Sequence, residues 1–348
     1  MEKKLLYNIE ETEIYTARFK QMENTEIIAN NNQTTPNTKT SMLCVILAGC
    51  LWGMMGLFVR NLASDGLTSL EIVVLRSIGS TLIMLLILLI MDRSLFKIRF
   101  KDLWCFVGTG IVSLTFFNLC YFTTIQMTSM AVAAILMYTS PIFVVLLSAI
   151  LFGERITGRK ILALMLAFIG CAFVTGIVGN KMVMPLKGIL IGIGSGIGYA
   201  LYSIFGRYAL EKGYRSETIT FYTFLMATVG ICVVSPFLCP IQDIVTKIVN
   251  GNTGKDILLV LGQSLLVTVM PYLLYTKGLK GLENGTAGII ASVEPVVAAI
   301  LGMIVYGERL SISGYVGALM VLSAIVILNL KDNSNRKNSN INRNKNSK

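Results

Sequence analysis

The sequence predicts an all-α integral membrane protein of ten transmembrane helices, arranged as two inverted five-helix repeats. Three observations carry that prediction: a shortage of charge, ten long apolar runs, and an internal repeat that joins a buried proline to a charged triplet. Of the 348 residues, 54% are hydrophobic and only 14% are charged, against roughly 25% charged in a soluble domain. Mean hydropathy is +0.69. A hydrocarbon core about 30 Å thick takes roughly 20 apolar residues of helix. Backbone groups cannot go unpaired in lipid, so helices rather than open sheets are expected.

Residues 1–40 are polar and nearly charge-balanced, too long and too mixed for a secretory signal peptide, whose apolar segment comes early. They are expected to form a cytoplasmic tail. The apolar runs then fall at 42–60, closing on Arg60; 69–91, closing before Asp92-Arg93; 103–124, opening after Arg99 and Lys101; and 130–152, closing on Gly153-Glu154-Arg155. The fifth, 161–179, follows Arg159-Lys160, and the sixth, 188–206, lies between Lys187 and Arg207. The last four are 218–239, 257–276, 286–306 and 312–330. The longest connector, Cys239 to Asp256, contains Pro240 and Gly251-Asn252, which favour a turn. The final segment, 331–348, is rich in Asn, Ser and Lys with no apolar face, a composition expected to stay disordered. Beside a membrane its positive charge faces anionic lipid rather than nucleic acid.

Ten spans put both termini on one side, and the Lys/Arg balance decides which. With the termini cytoplasmic, the inner connectors hold Arg93, Lys97, Arg99, Lys101, Arg155, Arg159, Lys160, Arg207, Lys212, Arg215, Lys277 and Lys280. The outer ones hold half as many: Arg60, Lys181, Lys187, Lys247, Lys255 and Arg309. The chain is therefore expected with both ends in the cytoplasm.

The repeat appears when residues 121–155 are laid on 275–309. Tyr121 meets Tyr275, Pro141 meets Pro295, and Gly-Glu-Arg 153–155 meets Gly-Glu-Arg 307–309 without a gap. Apolar identities count for little in such a chain; a buried proline and a charged triplet in one register count for more. A slightly shorter shift pairs Trp52 with Tyr199, Phe58 with Phe205 and Arg60 with Arg207. Five helices per copy is odd, so the second copy enters the membrane upside down. The copies are assigned to 41–180 and 186–330. Inverted repeats are typical of secondary transporters, with the solute near the midplane between them.

The early LWGMMGLFVR (51–60), the LRS around Arg76, and the two proline-to-GER blocks, SVEPVVAAILGMIVYGERLS (292–311) above all, are similar to the EamA-type transporters of the drug/metabolite transporter superfamily. The resemblance covers residues 42–330. It implies a ten-helix inverted-repeat fold with a central cavity in a bacterial cytoplasmic membrane. It also implies transport of small metabolites, often outward, an amino acid or related compound being one example. Multidrug efflux and channel-like facilitation are the alternatives.

Glu294 is the sharpest single residue. It lies mid-span before Pro295, where its repeat partner is the uncharged Ser140. A carboxylate at that depth costs on the order of 2.5–3.5 kcal/mol and should face the bundle interior or a wet cavity. There it suits proton coupling or a cationic group, or else a structural hydrogen bond. Pro141 and Pro295 interrupt helices 4 and 9, as hinges or as static kinks. Arg76, the other deep charge, has four readings: attraction of an anionic solute, pairing with a carboxylate, snorkelling, or local pairing with Glu71. The structural reading is adopted for Arg76 and for Glu154 and Glu308, which end their helices. Trp52, Asn118, Tyr121, Tyr138, Tyr199, Tyr202, Tyr272 and Tyr275, with Gln263, are candidates to line a cavity, since a ligand site sets a few polar groups among apolar walls. Gly188, Gly192 and Gly196 on helix 6 suit close helix packing.

No histidine is present, which removes the commonest metal ligand and general base. The seven cysteines lie in or beside apolar runs without CxxC spacing and read as packing residues. No cofactor or metal is expected. There is no GxxxxGK[ST] loop, so energy must come from gradients or exchange. An intramembrane enzyme would need clustered acids and bases, and a channel a filter motif or charged rings. The expected partners are a small-molecule solute, the lipid bilayer and protons. No motif fixes an oligomeric state.

Overall fold

The computed structural model describes residues 37–128, 130–176, 185–238, 246–247, 253–309 and 311–329. The two tails, and Pro240 with Gly251-Asn252, lie outside the described residues. The helices, numbered in chain order, are α1 (Thr38–Ser64), α2 (Ser69–Met91), α3 (Phe100–Met127), α4 (Val132–Phe152), α5 (Gly158–Val174), α6 (Leu186–Glu211), α7 (Ser216–Leu238), α8 (Gly254–Gly278), α9 (Asn284–Tyr306) and α10 (Ile312–Asn329). Among the described residues eight helices are long and apolar enough to cross a membrane. The two that fall short of that length are α5, with 17 residues, and the apolar stretch Ile312–Leu328 of α10. The first helix begins at Thr38, a few residues inside the segment expected to be a polar tail.

The helices sort by contact into a definite pattern. α5 packs along α10 and α2 along α7; α1 lies against α8 and α9, while α6 lies against α3 and α4. Small residues permit these approaches. A Cβ on Gly170 of α5 would sit 2.7 Å from the Gly317 carbonyl oxygen of α10, and one on Gly317 would sit 2.6 Å from the Phe173 Cβ. On α6, Gly192 and Gly196 receive Leu136 of α4. The outward faces are greasy: Ile90, Ile150 and Ile304 are 83%, 77% and 74% exposed. Apolar exposure on this scale marks a surface made for lipid rather than water. Cys44, Cys50, Cys105, Cys120 and Cys171 are free thiols.

Five helices are irregular where the site forms, the first being α1, interrupted at Met54. α4 and α9 are each broken, one between Met137 and Ser140 and the other between Ala291 and Glu294. Tight i→i+3 turns bridge the breaks, Thr139 N–H to Leu136 O at 3.2 Å and Val293 N–H to Ile290 O at 3.2 Å. Pro141 and Pro295 are the second residues of the restarted helices. A missing N–H is harmless in a first turn, where it has no intrahelical partner. The prolines thus start new helical segments instead of bending continuous ones. In α3 and α8 the winding widens to π-helical turns over Gly108–Thr115 and Leu265–Val269.

Candidate functional site

Glu294 sits at the break of α9, partly buried at the head of the restarted helix. Gly49 and Gly53 of α1 make room for it: a Cβ on Gly53 would lie 2.8 Å from the Glu294 carbonyl oxygen, and one on Gly49 would lie 2.5 Å from the Val293 side chain. The break is therefore held against the middle of α1. Val296, on the same restarted helix, packs in one cluster with Cys171 and Tyr138, while Trp52, next to Gly53, meets Tyr199 and Tyr272, and Phe117 joins Tyr121 to Tyr199. Among the described residues the Glu294 carboxylate has neither a hydrogen bond nor an ion pair, and the hydroxyls of those four tyrosines have no hydrogen-bond partner. A tyrosine buried in a protein usually finds one. Five polar groups from α3, α4, α6, α8 and α9 thus share one region without being satisfied by the described residues.

Aromatic rings wall this region. Trp52 meets Tyr199, Tyr272 and Tyr275 with ring centroids 6.1, 5.3 and 5.5 Å apart, and Phe117 joins Tyr121 to Tyr199 at 5.7 and 5.4 Å. Two of the expected cavity tyrosines are spoken for. Tyr202 OH bonds Thr276 Oγ1 at 2.7 Å, and Tyr275 OH bonds Ser203 Oγ at 2.7 Å, both tying α6 to α8. Gln263 is buried within α8 with its amide nitrogen unpaired.

Arg76 faces a different neighbourhood from the one proposed by local pairing. Glu71 caps α2 in a reciprocal box with Thr68 and accepts Lys247 Nζ at 2.8 and 2.9 Å, so it is not available to Arg76. The guanidinium instead donates to Asn118 Oδ1 at 3.2 Å and to the Met55 thioether at 3.6 Å. Asn118 is fixed by its own donation to Leu114 O at 2.6 Å. Arg76 and Asn118 line a small cavity with Ser77, Thr115, Thr268 and Tyr272; its space for the centre of a water-sized group is about 20 Å³. That suits a water molecule rather than a whole metabolite. Both π-helical turns open onto it, Thr115 bonding Gly110 O and Thr268 bonding Gln263 O five residues back, at 3.2 and 3.0 Å. Wide turns often sit at functional sites, and no sequence signal marks them.

The two Gly-Glu-Arg triplets end their helices alike and then diverge. Gly153 and Gly307 both adopt a left-handed conformation, φ 66° in each case. That turn returns two successive N–H groups to the Ser148 carbonyl in one copy and to the Gly302 carbonyl in the other. Glu154 then crosses to α9, accepting the N–H of Asn284 at 2.7 Å and of Gly285 at 3.2 Å, with Lys160 Nζ at 3.4 Å. Glu308 pairs with Arg60, whose guanidinium also lies over the Tyr306 ring. Lys160, which the sequence presents only as a connector charge, is buried between Glu154 and Glu283.

The family model for the EamA-like transporter family matches the chain twice, over residues 39–176 and 186–330. An uncharacterized transporter of Archaeoglobus fulgidus is 28% identical over 292 residues, covering 81% of this chain and 94% of the relative. The uncharacterized transporter YwfM of Bacillus subtilis is 27% identical, covering 82% and 92%. The uncharacterized inner membrane transporter YicL of Salmonella typhimurium is 23% identical, covering 84% and 96%. A crystal structure superposes with a TM-score of 0.70 at 18% identity, over 83% of this chain and 96% of that one, a likeness of fold.

Proposed function

Because this chain belongs to the EamA-like transporter family, we propose that it exports a small amine-bearing metabolite, an amino acid or related compound, by alternating access. The observation that carries it is the Glu294 carboxylate at the break of α9, which, like the hydroxyls of Tyr121, Tyr138, Tyr199 and Tyr272, has no hydrogen-bond partner among the described residues. A carboxylate kept at that depth without a protein partner is arranged for something that arrives, a protonated amine or a proton. Proton coupling follows if the two compete for the same oxygens.

Two inverted five-helix repeats, 41–180 and 186–330, would supply the moving halves. The contact pattern supports this: exchanging each helix with the one five places on turns α1–α8 into α6–α3 and α1–α9 into α6–α4, and leaves α2–α7 and α5–α10 unchanged. A shorter α5 and α10 packed together would complete ten spans. The Lys/Arg asymmetry supports cytoplasmic termini.

Metabolite profiling of spent medium and cytosol, with and without the protein, should show one amine-bearing compound moving to the medium. Counterflow of that compound in proteoliposomes should saturate. Glu294→Gln should insert normally yet lose most of the flux. Wild-type flux in that variant between about pH 5.5 and 8 would end the reading, since that window brackets physiological pH.

A further inference from the structure

The two ends of the bundle carry the same parts in different use. At one end Glu154, closing α4, accepts the N–H groups of Asn284 and Gly285 at 2.7 and 3.2 Å. Beside it Arg207 of α6 donates to the Leu279 and Leu282 carbonyls at 2.9 and 3.4 Å. These two charges thus serve the carbonyls of the turn after α8 and the amides that begin α9. The first N–H groups of a helix have no partner within it, and a carboxylate there also meets the positive end of the helix dipole. The approach is close, since a Cβ on Gly285 would sit 3.0 Å from the Val145 side chain of α4. At the opposite end stand the repeat counterparts, Glu308 closing α9 and Arg60 of α1. They pair with each other, each 49% exposed. In the register that joins the two Gly-Glu-Arg triplets, Leu279, Leu282, Asn284 and Gly285 fall on Ile125, Thr128, Met130 and Ala131. The packing differs to match. The head of α9 lies against α4, α5, α6 and α10 as well as α1, whereas the stretch Met130–Met137 ahead of the break in α4 lies against α3 and α6.

We infer that Glu308 and Arg60 close the second end of the bundle in the other state of the transport cycle. There Glu308 takes the N–H groups of Met130 and Ala131, and Arg60 the carbonyls of Ile125 and Thr128, while Glu154 and Arg207 release theirs. The inference rests on the alternating-access reading given above and adds the residues that make and break the closure. Two opposite charges with no helix ends to serve are left with each other, which is how Arg60 and Glu308 stand in this structure. An exposed pair of that kind is weak, so parting it costs little and both side chains stay available. Lys160 makes the two closures unequal. It is buried between Glu154 and Glu283, and the same register puts Gly314 in its place. The end closed here therefore has a tie that the other lacks.

The test is backbone hydrogen exchange of the full chain in nanodiscs, read at Asn284 and Gly285. Those amides are protected by Glu154 alone, so their exchange rate reports how often that closure opens, even when the open state is rare. Glu308→Gln and Arg60→Gln, both at the far end, should each slow this exchange about tenfold. Each removes charge-assisted bonds from the state in which the two amides are open. A salt bridge with a merely structural role predicts no change, or faster exchange through loss of stability. Both positions are half exposed, so the variants should fold as the wild type does. An unchanged or faster rate in either variant overturns the closure. If saturable counterflow persists in that case, alternating access stands and closes its second end with other residues. Slowed exchange in both variants, in a protein that shows no counterflow of any solute, supports the closure and removes the proposed solute.

Discussion

Replacing Glu154 and Glu308 in turn with alanine should separate two residues that the sequence presents as equivalents. Glu154 is 10% exposed and receives two backbone N–H groups from the head of α9 at 2.7 and 3.2 Å. Hydrogen bonds to a charged group are each worth about 1.5–3 kcal/mol, and loss of one member of a buried pair runs to about 3–5 kcal/mol. Part of that is spared here, because Lys160 keeps Glu283 at 2.6 Å. Glu154→Ala should therefore cost about 2–4 kcal/mol. Glu308 and Arg60 are each 49% exposed, and an exposed pair contributes about 0–1 kcal/mol. Glu308→Ala should fall in that range. Equilibrium unfolding in mixed micelles, followed by the fluorescence of Trp52 and Trp104, measures both on one scale. Equal costs for the two variants would refute the asymmetry derived from their partners.

Other consequences are testable in the same preparation. Tyr202→Phe should lose about 1 kcal/mol through its bond to Thr276. Tyr199→Phe, whose hydroxyl has no partner among the described residues, should leave stability unchanged and instead weaken solute affinity in counterflow. Gly317→Val should destabilise by about 1–3 kcal/mol, because its side chain would run into Phe173 and the Val174 backbone. A Gly317→Val protein as stable as wild type would mean that α5 and α10 are not packed as described. Glu294→Gln should abolish most transport while unfolding at the wild-type midpoint, which separates a transport role from a structural one.

Much of the helical layout was legible because lipid permits few solutions. Long uncharged runs must be helices, and a proline-to-GER block recurring in register announces a doubled scaffold. The helix ends were legible for a local reason: Gly153 and Gly307 are followed by the same residues and adopt the same left-handed turn. The breaks in α4 and α9 were foreshadowed by Pro141 and Pro295, although the sequence did not say that the chain would stop helical winding ahead of each proline. Pairing of Arg76 with Glu71 was a reasonable expectation from proximity along one helix. It failed because Lys247, 176 residues away in the chain, reaches Glu71 first.

The sequence by itself determined the solvent: 54% hydrophobic residues, and Glu294 and Arg76 as deep charges within the spans. It also singled out the chemistry-bearing candidates, since a charge in hydrocarbon is too costly to be idle. Only the tertiary structure decided which of them are committed to the fold. Tyr202 and Tyr275 look like Tyr199 and Tyr272 in sequence, yet the first two are bonded to Thr276 and Ser203 and the second two have no hydrogen-bond partner among the described residues. Glu154 and Glu308 share a triplet, yet one seals the start of α9 and the other lies exposed beside Arg60. Such assignments depend on distances between residues far apart in the chain, and no local pattern encodes them.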